Sequence, residues 1–496
     1  MMKTKKLFLL GAVLGLSITG CKKLDVGKNP NNPDFDDVYS NSASVKSIAS
    51  GLFNTFYIGT HSYTYSPYMF LATSGDNVTC SWGNQAMRDM SWEPRQTWNN
   101  SASYSYRGTT KNFFDYMFKV INTASNVMKA INNGLEISGG ADNNLVKSFC
   151  KFSQGVAYGN LALVFDRGFI VDENIALPDA TVDGASTPEE VAAAAIGYLD
   201  EAISLASNSF TVPSSWLGTS SDYSNADFAK LCNSWAARIL AYMPRTKAQN
   251  SAVDWGKVKA YADAGITSDM TILQDGYVNW YAEAGDYLTY PGWGKVDMYV
   301  VHLMDDTQPA HWDDVSTFPT PPESTAPQDE RIFTDFEYSS LNWFRPERGY
   351  YHFSNYRYAR YDAAYALGDG PVPDFMVAEN DMLRAEARAY TGDLTGAAAI
   401  INAGTRVTRG NMTPVGTTLP EIEQAILHER HVELYVTGMG IPHFAMRKLD
   451  LLQKGTPLEW PLPAQTLETF GIAPPFYTFG GEAAADGIHT SNGGWR

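Results

Sequence analysis

The sequence predicts a mainly α-helical protein with little β structure, and three observations carry that prediction. Apolar residues recur at helical spacing through most of the chain. Helix start and stop chemistry stands where several of those stripes begin and end. Only two stretches break the pattern, and both are dense in aromatic residues.

The chain opens with Lys3, Lys5 and Lys6, then an apolar stretch from Leu7 to Ile18, then Thr19 and Gly20 before Cys21. That order is the pattern of a secretory signal. About a dozen apolar residues cannot cross ~30 Å of hydrocarbon as a helix, which takes about 20. The phrase "ITGC" resembles a bacterial lipobox, so residues 1–20 read as a lipoprotein signal peptide and Cys21 as the acylated N-terminus. Several acyl chains on one residue give stable anchoring. Residues 21–38 are rich in Asn, Pro, Lys and Asp and read as a flexible tether.

The first stripe after the tether is Val45, Ile48, Ala49, Leu52 and Phe56. The second is Phe113, Phe114, Met117, Ile121, Ala124, Met128 and Ile131, ending at the "NNG" stop of Asn132 to Gly134. A further helix is expected at about 143–164. "TPEE" from Thr187 to Glu190 has the capping-box form with Pro188 at the first helical position, followed by Val191, Ala194, Tyr198, Ala202 and Leu205 on one face. Helices are also expected at about 225–243, 374–391, 394–404 and 420–437.

The two exceptions, residues 53–118 and 277–365, hold 37 of the 64 aromatics. Aromatics concentrated in loops point to a ligand surface. The second stretch contains a Pro-rich loop, "FPTPPESTAPQ", and "YHFSNYRYARY", whose alternation suits a short strand or hairpin.

Composition excludes some functions. The formal charge is -17, and removing the three lysines of residues 1–20 takes it to -20. So acidic a chain repels phosphate backbones, which argues against nucleic acid as a partner. Beyond Cys21 the cysteines are Cys80, Cys150 and Cys232, without metal-ligand spacing; at most one disulfide can form among them, and they read as buried small residues.

No catalytic constellation emerges. Glu429 and Glu433 share one helix face, with Arg406, Arg430 or Arg447 as cations to relieve their repulsion. A glycosidase pair must flank a bond from opposite sides, which one helix face cannot do. In "HERH", His428 and His431 are spaced i,i+3 rather than the i,i+4 of zinc proteases. "GMG" at 438–440 lacks the third glycine and preceding strand of a dinucleotide site. Asp305/Asp306 and Asp313/Asp314 could hold a structural calcium ion, but not with EF-hand spacing. The expectation is no enzyme and no cofactor.

"ENDMLRAEARAYTGDLTGAAAIINAGTR" (Glu379 to Arg406) and "IEQAILHERHVELYVTGMGIPHFAMRKLDLL" (Ile422 to Leu452) carry a family signature. Arg384 to Ala387 with Gly392 and Asp393 lead, followed by Asn402 and Arg406. Glu429, Arg430, Glu433 and Leu434 come next, then Arg447 and Asp450. Together with "GCKKLDVGKNPNNP", this resembles the SusD/RagB family of outer-membrane lipoproteins of Bacteroidetes. Thr437 stands where that family commonly has an acidic residue, which marks a divergent branch. The resemblance implies tetratricopeptide-like helical hairpins supporting a second, irregular, loop-rich half within a single domain, 39–496. It also implies an oligosaccharide ligand, a SusC-like TonB-dependent transporter as partner, and a lipid-anchored place at the outer membrane. The alternatives are a peptide-binding lid of the same family and a lipid-anchored glycoside hydrolase.

A flat aromatic ring covers the C–H face of a pyranose while amides and cations bind its hydroxyls. The candidate ligand residues are therefore Trp82, Arg88, Trp92, Trp98, Asn99 and Asn100 in the first aromatic stretch. Trp280, Tyr281, Trp293 and Trp312 are the candidates in the second.

Overall fold

A computed structural model describes residues 38–176, 181–311, 321–339, 345 and 352–496. The signal peptide, residues 21–37 of the tether with Cys21, and Trp312, Asp313 and Asp314 lie outside the described residues.

The first stripe divides at Gly51 into α1 (Ser42–Ser50) and α2 (Leu52–His61), with Asn41 capping α1 by accepting the Ser44 N–H at 2.9 Å. Next come α3 (Tyr68–Ser74), the short β1 (Val78–Thr79) and α4 (Met87–Ser91). The second stripe is α5 (Gly108–Asn132), which ends at the expected stop with Gly134 at φ +101°. The expected helix at 143–164 is α6 (Asn143–Val164).

Helix α6 is buried around most of its circumference, as its nearly continuous apolar and small-residue content requires. Two glycines allow the close approach. A Cβ on Gly155 would come within 2.6 Å of Leu199 Cγ in α7 (Pro188–Leu205), and one on Gly159 within 2.2 Å of Ile239 in α8 (Asn225–Tyr242). The capping box of α7 forms as the sequence predicts, with Glu190 N–H donating to Thr187 Oγ1 and Thr187 N–H donating to Glu190 Oε2.

Helix α9 (Trp255–Asp263) leads into the irregular half. There β2 (Met270–Asp275), β3 (Lys295–Val296), α10 (Met298–Met304), β4 (Phe336–Tyr338), β5 (Tyr356–Tyr358) and β6 (Asp369–Phe375) follow. These strands pair antiparallel and in twos: β1 with β3, β2 with β6, β4 with β5. The Tyr/Arg alternation at 356–358 is thus a strand, as read. The chain then returns to hairpins with α11 (Val377–Tyr390), α12 (Leu394–Ala403), α13 (Leu419–Val432) and α14 (Ile441–Arg447). Helix α13 stops at Val432 rather than Thr437, because the next residues turn and Val436 adopts φ +46°.

The architecture is mainly α: tetratricopeptide-type helix pairs, α5 with α6, α6 with α7, α8 with α9 and α11 with α12, carry a loop-rich half. One large core runs through the pairs, and a second, with Val78, Cys80, Val296, Met298, Phe336 and Tyr435, underlies the loops. Arg447, fully buried, joins the helix ends: it donates to the carbonyls of Leu163 at 2.8 Å, Leu458 at 2.7 Å, Tyr242 at 2.9 Å and Pro244 at 3.2 Å. Two of these, Leu163 and Tyr242, are C-terminal carbonyls of α6 and α8, which have no partner within their helices. Cys80, Cys150 and Cys232 are buried and form no disulfide with one another.

Candidate functional site

The β1–β3 register places Thr79 opposite Lys295. Trp82 leaves β1 three residues later and Trp293 enters β3 two residues earlier, so the pairing brings both indoles to one end of the ribbon. They meet edge to face, centroids 5.3 Å apart at 65°. Trp293 stacks on Tyr287 at 5.5 Å, and Tyr287 lies 4.5 Å from Tyr63. All four rings are half-buried and keep some exposed surface.

Polar groups surround this strip. Asn84 Nδ2 donates to the Tyr287 hydroxyl. The Tyr106 hydroxyl and the Arg88 guanidinium flank Gly83, where a Cβ would come within 2.7 Å of Tyr106 Oη. The Arg345 backbone N–H donates to Ser81 Oγ at 2.7 Å, and its guanidinium lies 5.8 Å from the centre of the Trp82 ring. Burial lifts the Tyr287 and Tyr106 phenols above their ordinary range, so both remain neutral donors and acceptors. Behind Trp293, burial and the charge of Arg357 lower the Lys295 ammonium to about 8.

From the sequence-predicted residues, the structure therefore joins Trp82, Arg88 and Trp293. It adds Tyr63, Asn84, Tyr106, Tyr287 and Arg345, which sequence reasoning missed. Tyr63, Tyr106 and Tyr287 lay inside the two aromatic-rich stretches, so their density was the available signal. Trp98 is 2% exposed and packs against Phe70, Tyr104 and Trp460; Trp280 is 8% exposed and packs against Phe53 and Tyr57. Both are core residues in this structure. Asn100 is a staple, donating to the carbonyls of Leu462 and Tyr477 and accepting from the Ala464 N–H. Asn99 is exposed beside it on a groove of about 510 Å³. Trp92 is half-buried at the end of α4, and Tyr281 bonds Asp286 beside Tyr277.

The carboxylate pair sits in a structural ion network, as read, but chiefly with other cations. Glu429 and Glu433 are buried and held mainly by Arg331, with Arg409 at 2.7 Å and Arg360 at 3.0 Å on Glu433. Of the three predicted cations, Arg406 stands 3.9 Å from Glu429, Arg430 pairs instead with Glu386, and Arg447 bonds carbonyls. Arg331 lies about a hundred positions upstream, and nothing local in the sequence assigns it to this pair. His428 bonds Asp329 at 2.8 Å and His431 the Leu427 carbonyl at 3.0 Å, both buried. Asp305 is bonded by Thr307 and Ser324. Among the described residues no group of three His, Cys, Asp or Glu has metal-binding geometry, and no helix is long and apolar enough to cross a membrane.

No family model and no curated protein matches the sequence. Solved structures do. A SusD homolog from Bacteroides thetaiotaomicron matches 92% of this chain and 100% of its own at TM-score 0.62 and 12% identity. A SusD superfamily protein from Parabacteroides distasonis matches 87% of this chain and 99% of its own at TM-score 0.59 and 11% identity. A SusD-like carbohydrate-binding protein from Bacteroides vulgatus matches 82% of this chain and 83% of its own at TM-score 0.55 and 18% identity. The likeness establishes a SusD-like fold.

Proposed function

We propose that this chain, built on the SusD-like fold, is a glycan-binding lipoprotein of the outer membrane. It is held there through Cys21 and hands captured oligosaccharides to a SusC-like TonB-dependent transporter. The observation that carries the reading is the half-buried strip of Trp82, Trp293, Tyr287 and Tyr63 with Asn84 and Arg88 beside it. Successive rings offer apolar faces to successive sugar units, and the amide and guanidinium supply hydroxyl partners. Stiff side chains lose little entropy on binding.

Catalysis is not part of this reading. The carboxylate pair at suggestive spacing, Glu429 and Glu433, is buried and bonded by arginines. A carboxylate locked in charge-assisted bonds on several sides is a poor proton shuttle or nucleophile.

The test is retention of the purified chain on a panel of polysaccharides, with each mixture assayed afterwards for shortened products. Retention without shortening, lost in Trp82→Ala and Trp293→Ala, supports the reading. Product formation would overturn it in favour of an enzyme, and retention unchanged in both variants would remove the site.

A further inference from the structure

A second cavity, of about 780 Å³, shares no lining residue with the aromatic strip. It lies between α10, α13, the 412–416 loop and the C-terminal Trp495. One wall is aromatic: Tyr299 and Trp495 pack at 4.6 Å, and the Trp495 indole is fixed by donating to Asp76 Oδ2 at 2.7 Å. Arg406 and His302 also line the cavity.

Arg406 is under-partnered for a guanidinium only 15% exposed. Among the described residues it donates no hydrogen bond, and its Nε and Nη1 are buried without a partner. Its nearest carboxylate, Glu429, stands 3.9 Å away and is already taken by two 2.7 Å bonds from Arg331 and one from Thr405. A mostly buried cation in that state is costly; Nε and Nη1 are closed to the cavity, so an anion there would ease the charge through Nη2, which has no hydrogen bond and keeps exposed surface. The acidic groups of the lining are otherwise engaged or peripheral: Glu421 caps α13, Glu423 accepts from Tyr390, and Asp306 is exposed at the rim.

We propose that this cavity is a subsite for an acidic sugar unit, with its carboxylate or sulfate group at Arg406 and its ring against Trp495. The choice of a sugar over other anions rests on the proposed glycan-binding function. The site itself rests on Arg406 and the cavity.

The experiment is calorimetric titration of the full chain with an oligogalacturonide, a sulfated galactan oligomer and a neutral galactan oligomer. It is repeated on Arg406→Gln, on Gln424→Trp and on Trp82→Ala. Gln424 is exposed on α13 and lines the cavity, so Gln424→Trp obstructs it without disturbing the Arg331 cluster. The expected result is saturable binding of at least one acidic oligomer, weakened tenfold or more in both cavity variants and unchanged in Trp82→Ala. Whichever acidic oligomer binds identifies the acid group. Absence of acidic-oligomer binding, or affinity in the two cavity variants equal to that of the parent chain, overturns the proposal. Neutral-oligomer binding lost only in Trp82→Ala reports separately on the aromatic strip, so either reading can fail alone.

Discussion

Arg331 grips Glu429 with two parallel bonds, Nη1 to Oε2 and Nη2 to Oε1, both 2.7 Å, and the same guanidinium reaches Glu433 and Asp329. All four side chains are buried. The cluster welds α13 to the short turn that carries residues 329–331, and so sets one helix pair against the loop-rich half. Glu429→Gln removes one charge and leaves the others unbalanced, which costs about 3 kcal/mol or more. Urea denaturation should show that loss, while glycan affinity at the Trp82 strip stays within twofold.

Helix α6 makes a second prediction. Alanine at position 155 gains about 1 kcal/mol of helix propensity over glycine. Its Cβ, however, would stand 2.6 Å from Leu199 Cγ and 3.1 Å from the Ala195 carbonyl. Overpacking of that kind costs about 1–3 kcal/mol. Gly155→Ala should therefore lower the denaturation midpoint, whereas the same change at Gly197, with nothing within 4 Å, should not.

Acid should destabilise the fold, and the sign follows from buried histidines. Burial lowers His61 to about 3 and His431 to about 4, and takes His428, His352 and His443 below their ordinary value. Below pH ~6.5 the unfolded chain protonates these groups while the fold keeps them neutral, so stability falls as pH drops. Asp166 and Asp374 oppose this. Burial raises them to about 7 and about 6, which favours the fold at low pH and loses that advantage as pH rises through those values. Asp297, Asp286 and Glu93, also raised by burial, and His489, raised by its bond to Glu459, join that opposition, whereas Asp263, Asp329, Glu386 and Glu459, lowered despite burial by cationic partners, add to the loss through the carboxylate range; each group contributes at most ~1.4 kcal/mol per pH unit. Equilibrium denaturation should show a lower midpoint at pH 3 than at pH 6.5, and His431→Gln should lessen that drop.

Much of the helical scaffold was legible because burial on one face writes a 3.6-residue stripe into the sequence, and because caps are local chemistry. Thr187 with Glu190, and Asn132 to Gly134, announce their helix ends within four residues. The site was only half legible. Strands β1 and β3 are two residues each, too short to leave an alternation, and their pairing joins positions far apart in sequence. A tryptophan in a loop looks the same in sequence whether it faces solvent, as Trp82 partly does, or fills the core, as Trp98 does.

That difference between Trp82 and Trp98 can be measured directly. Trp98 is enclosed by Phe70, Tyr104 and Trp460, so Trp98→Ala opens a cavity and should cost about 3–5 kcal/mol of stability. Trp82 is half-buried and rests on Trp293, so Trp82→Ala should cost under ~1.5 kcal/mol of folding stability. As a central aromatic contact for ligand it should cost about 2 kcal/mol of binding, roughly thirtyfold in Kd. Thermal unfolding and glycan titration on the same two variants give opposite rankings if the strip is the ligand surface. Equal glycan affinity in Trp82→Ala and the parent chain would assign the four-ring strip to packing alone.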